Sequence, residues 1–140
     1  MSRTILGLSL LAALAVAAPA VHAETLTYKA TLSGAQEVPA KPSAAKGEGT
    51  AMLDTVTKKL TYTANYSGLS GPATAGHIHG PAAAGANAGV LVPFASAASP
   101  VSGSATLTDA QIADLKDGKM YMNFHTAANP GGEIRGQLTK

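Results

Sequence analysis

Thr25-Leu26-Thr27-Tyr28-Lys29-Ala30-Thr31-Leu32 alternates polar and apolar residues without a break. Successive side chains of a strand point to opposite faces, so Leu26, Tyr28, Ala30 and Leu32 line one side and the threonines and Lys29 the other. A helix would scatter the same residues around its axis. The pattern therefore predicts a half-buried strand, and the rest of the chain repeats it.

Downstream, Gly34 to Gly47 reads as a loop, where Val38-Pro39 and Lys41-Pro42 both resist helix. Thr50 to Leu53 is a second strand. Asp54 to Lys59 turns it into a third, in which Leu60, Tyr62, Ala64 and Tyr66 share a face, so the two form a hairpin. Gly68 to Gly76 is turn-rich and leads into a strand from Ala75 to His79. Pro81 to Gly89 is a low-complexity Ala/Gly loop expected to be mobile. Val90 to Phe94 and Val101 to Leu107 are further short strands, the first edged by its proline. Thr108-Asp109-Ala110-Gln111 has the form of a capping box, with Ile112 and Leu115 as the apolar face and Gly118 as the stop. Met120 to His125 and Gly132 to Leu138 close the chain as strands joined by Asn129-Pro130-Gly131. The expected fold is all-β: an antiparallel, Greek-key-like β-sandwich of about 7–8 strands with one short helix, or the related barrel.

Ahead of this domain stands an address. Arg3 is followed by an apolar run from Ile5 to Ala18, and Val21-His22-Ala23 offers the small residues that signal peptidase requires. Residues 1–23 are read as a removable signal peptide and 24–140 as one domain, with cleavage after Ala20 as the alternative. The run is too short to anchor the chain comfortably in a bilayer. A periplasmic or secreted protein, free of the membrane after cleavage, is expected. Without Arg3, nine of the 10 Lys and Arg remain against 8 Asp and Glu, with no basic cluster. Aromatic residues make up only 4% of the chain, so nucleic-acid binding is not expected. There is no cysteine, so a metal site would rely on nitrogen or oxygen, with methionine sulfur as the remaining option.

The polar chemistry gathers on two strands. His77 and His79 flank Ile78, and residues two apart on a strand share a face with α-carbons about 6.5–7 Å apart. His125 ends another strand, where Tyr121, Asn123 and His125 share one face and Met122 and Phe124 the other. If these strands are neighbours, three imidazoles converge, a donor set suited to copper first and zinc second. The alternative is a merely polar solvent face. Asn123 would orient His125 or bond across the sheet. Glu133 and Arg135 read first as a surface ion pair. Otherwise Arg135 would guide an anion or support the metal ligands. Met120 and Met122 offer sulfur to a soft ion or fill the core. No Ser or Asp stands in a nucleophile–base arrangement, so a hydrolase is not expected; an enzyme, if it is one, would be a copper-dependent redox enzyme.

Three blocks resemble the CHRD (chordin-type) domain family. They are Leu32-Ser33-Gly34-Ala35-Gln36-Glu37-Val38-Pro39, Gly76-His77-Ile78-His79-Gly80, and Tyr121 to Thr126 followed by Asn129 to Leu138. The resemblance runs from about Tyr28 to Leu138 with the motifs in order. It implies an all-β extracytoplasmic domain and places the motif histidines at His77, His79 and His125, with the closing Glu and Arg at Glu133 and Arg135. A more distant likeness is to copper–zinc superoxide dismutase, in its His-x-His on a strand. The loop from Gly80 to Val92 holds no His, Asp or Glu to match the zinc ligands of that family. Two functions follow as expectations: a metal-binding protein that buffers, delivers or cycles copper, or a module for protein interaction or for self-association as a homodimer, with structural histidines.

Overall fold

Eight strands take up the alternating segments: β1 (Thr25–Ser33), β2 (Lys46–Asp54), β3 (Lys59–Ser67), β4 (Ala73–His79), β5 (Val90–Pro93), β6 (Val101–Thr106), β7 (Tyr121–Thr126) and β8 (Ile134–Gln137). One helix, α1 (Asp109–Lys116), lies between β6 and β7. The structure is a computed structural model that describes residues 21–140. The expected signal peptide, apart from Val21 to Ala23, lies outside the described residues. Among them, no helix is long and apolar enough to cross a membrane.

The strands form one antiparallel sheet in the order β5-β4-β7-β8-β1-β2-β3-β6. β1, β2 and β3 form a meander, while the pairs β3–β6, β4–β7 and β8–β1 are made by crossovers. The sheet curls round on itself, so that β5-β4-β7-β8 and β1-β2-β3-β6 contribute to one shared core. Leu32, Leu53, Leu60 and Tyr62 from one half pack in one cluster with Ile78, Met122, Phe124 and Ile134 from the other. Tyr62 stacks on Phe94 at 4.6 Å, drawing the β3 and β5 sides together and leaving the sheet nearly closed.

Local chemistry explains the joints. Lys58 takes a positive φ of 59° in the β2–β3 turn, where Asp54 Oδ1 accepts from the amides of Val56 and Thr57. The capping box forms in full: Thr108 Oγ1 accepts from Gln111 N, and Gln111 Oε1 accepts from Thr108 N. Leu115 is buried and Ile112 packs against the core. Met120 and Met122 are both fully buried core residues, which settles them as packing.

Candidate metal centre

The site begins with strand phase. On β4, Gly76 and Ile78 face the core, so Ala75, His77 and His79 face outward. Gly76 is required there: an added Cβ would lie 2.7 Å from the Phe94 ring and 2.9 Å from that of Phe124. On β7, Met122 and Phe124 turn inward, and Tyr121, Asn123 and His125 turn outward. The β4–β7 register sets His79 opposite Tyr121, His77 opposite Asn123, and Ala75 opposite His125. His125 is therefore diagonal to His77, close enough for long side chains to meet.

They do meet. His77 Nδ1 lies 3.1 Å from His125 Nε2, and one ring nitrogen from each of His77, His79 and His125 lies within 4.8 Å of the other two. Nitrogens sharing one tetrahedral ion stand ~3.4 Å apart, so small ring rotations would close the set. His79 Nδ1 points at the Ala88 carbonyl at 3.0 Å and His125 Nδ1 at the Pro130 carbonyl at 2.9 Å. A carbonyl only accepts, so both Nδ1 atoms carry the proton and both Nε2 atoms present a lone pair. Nε2 of His79 is buried without a hydrogen-bond partner, and such an orphan is costly unless something occupies it. Desolvation, then the neighbouring His125, lowers the pKa of His77. Desolvation also lowers that of His79, against the pull of the Ala88 carbonyl. Both shifts favour the neutral ring, the form that binds metal.

The outward face here is roofed. Pro81 to Gly89, expected to be mobile, is a strap fastened at many points. Arg135 donates to the Ala86 carbonyl at 2.7 Å and to Asn87 Oδ1 at 3.1 Å, and Gln137 Nε2 donates to the Ala82 carbonyl at 2.7 Å. Tyr121 Oη accepts from Ala88 N at 3.0 Å. The Tyr121 ring lies parallel to His79, centroids 4.9 Å apart, and the Arg135 guanidinium sits 3.5 Å from the same ring's centroid. The strap leaves His79 only 8% exposed, whereas His77 and His125 stay partly open to solvent.

The expected ion pair between Glu133 and Arg135 does not form. Among the described residues the ion pairs are Lys58–Asp109 and Lys119–Asp117. Glu133 and Arg135 are each 1% exposed, too deep for a surface pair, and they turn to different partners. Glu133 precedes β8, after a turn at Gly132 with φ 125°, so the same-face rule of a strand does not reach it. Its carboxylate accepts from Ser43, Ser70, Thr126 and Asn129. Desolvation pushes its pKa up, but the hydrogen bonds from Ser70, Thr126 and Ser43 prevail and bring it to about 2. By holding the Asn129 turn, Glu133 steadies the Pro130 carbonyl that orients His125. Asn123 takes the cross-sheet option: its Nδ2 donates to the Ile134 carbonyl at 2.9 Å and to Glu37.

Glu37 is the site-face residue that the sequence marked only as part of a motif. It is 7% exposed, and burial raises its pKa to about 7, against the opposing pull of the Asn123 hydrogen bond, Arg135 and Lys41. A Cβ on Gly132 would come within 2.7 Å of both its oxygens, so that glycine makes room for the carboxyl.

Residues 28–138 match the CHRD domain family, so the chain belongs to it. No curated protein and no solved structure matches.

Proposed function

We propose that this CHRD-domain chain is an exported metal-binding protein whose ligands are His77, His79 and His125, with copper the preferred ion and zinc the second. One observation carries the reading. Three imidazole nitrogens converge within 4.8 Å, and one of them, His79 Nε2, is buried with nothing to bond. Carbonyls behind His79 and His125 fix the tautomers that a metal requires. Between copper and zinc, imidazole donors favour copper on intrinsic affinity. The partly open side at His77 and His125 suits exchange of the ion, so buffering or delivery is the simplest use; bound copper would also supply one-electron chemistry. Export is supported by the apolar run from Ile5 to Ala18 and the small residues before Glu24.

The test is elemental analysis of the purified protein with copper and zinc titrations, wild type beside a His77→Ala/His79→Ala variant. Stoichiometric binding that the double variant loses is the expected result. No binding at micromolar copper would overturn the reading and leave the interaction-module alternative.

A further inference from the structure

We propose that the buried charge of Arg135 biases the three-histidine site toward a monovalent ion, so that copper is held there chiefly as Cu(I). The inference rests on the metal reading above and concerns which oxidation state the site prefers.

Three imidazoles are neutral donors, so a bound ion keeps its full charge. The cluster includes no carboxylate, and the chain has no cysteine to supply a thiolate. On the same face, β7 lies between β4 and β8, so the Tyr121 ring separates His79 from Arg135. Arg135 is 1% exposed, and its hydrogen-bond acceptors are all neutral oxygens: the Ala83 and Ala86 carbonyls, Asn87 Oδ1 and Gln137 Oε1. A guanidinium does not release its proton at any ordinary pH. A charge removed from water is screened weakly, so its field reaches the cluster.

The carboxyl that senses Arg135 is Glu37, and it compensates incompletely because burial holds its pKa near neutrality, at about 7. Lys41 adds a further positive charge near Glu37. Glu133 is ionised too, but its carboxylate bonds to Thr126, which shares the inward phase of Met122 and Phe124. It thus sits on the other side of β7 from the histidines, whereas Arg135 shares their face. A dication at the cluster therefore meets more repulsion than a monocation. Reduction, Cu(II) plus one electron giving Cu(I), relieves that repulsion without a proton or a change of ligand. The same field disfavours zinc. It also removes Arg135 from the task of guiding anions, since its donors are committed to the strap.

The experiment uses the full chain loaded with copper. Its potential is read by titration against a hexacyanoferrate couple, and Cu(I) affinity by competition with bicinchoninate. Wild type is compared with Arg135→Lys, Arg135→Gln and Glu37→Gln. Both Arg135 variants lose the planar fork that holds the strap, but only Arg135→Gln loses the charge. Wild type is expected to lie above the aqueous copper couple. Arg135→Gln should lower the Cu(I)-over-Cu(II) preference at least tenfold, about 59 mV for one electron, and bind zinc more tightly. Arg135→Lys should stay close to wild type. At pH 8, Glu37→Gln should move the potential upward; that variant carries the test if Arg135→Gln does not fold. Copper bound with equal shifts in both Arg135 variants, or a wild-type potential at or below the aqueous couple, would sink this inference alone. Failure to bind copper in either state would sink the metal reading with it.

Discussion

At the scale of single residues, Glu133 shows how a buried carboxylate is made favourable. Desolvation works against its charge, yet donors from Ser43, Ser70, Thr126 and Asn129 saturate both oxygens. Glu133→Ala would leave those donors facing an apolar methyl, at a cost of roughly 2–4 kcal/mol, measurable by urea unfolding at pH 7. Its folded pKa of about 2 lies below the ordinary 4.5. The stabilisation is thus complete above that ordinary value and disappears as pH falls toward the folded one. The gap between wild type and Glu133→Ala should therefore narrow from pH 7 to pH 3; an unchanged gap would mean the charge contributes nothing. The sequence placed Glu133 in the site region but gave it the wrong partner. Spacing by two implies a shared face only where the backbone is continuously extended, and Gly132 breaks that continuity. His77, His79 and His125 were legible because each lies in a strand whose side chains keep their alternation.

The element that matters most is β4, which holds two histidines outward only because Gly76 lets its inner face sit against two aromatic rings. Gly76→Ala inserts a methyl where Phe94 and Phe124 already stand. Overpacking of this kind costs about 1–3 kcal/mol. The variant should lose that much stability in chemical denaturation and bind copper more weakly, because β4 must shift against β7. Retained stability with unchanged copper affinity would show that the strand yields without disturbing the site. Alternation gave away the phase of β1, β3, β4 and β7, and the capping box gave away α1. The strap from Pro81 to Gly89 stayed illegible for a physical reason. It works through the carbonyls of Ala86 and Ala88, and every residue type offers a carbonyl.

At the scale of the whole molecule, an ion bound to β4 and β7 ties adjacent strands of one half-sheet and should stabilise the fold. An ion at 100 times its Kd adds about 2.7 kcal/mol, a rise in Tm on the order of 10 °C for a domain of this size. Calorimetry with and without copper should show this shift in wild type and none in His77→Ala/His79→Ala. The β2–β3 hairpin was readable because its partners are close in sequence. The pairing of β1 with β8 was not, since a long-range register leaves no periodic trace in either strand. That pairing has a further consequence. β8, the eighth described strand, occupies the middle of the sheet, between β7 and β1, so β5-β4-β7 and β1-β2-β3-β6 stay unjoined until residues 134–137 pair. Arg135, which secures the strap over His79, belongs to that joining strand. The roof over the histidines thus closes only when the two halves of the sheet become one, so its formation reports completion of the whole fold.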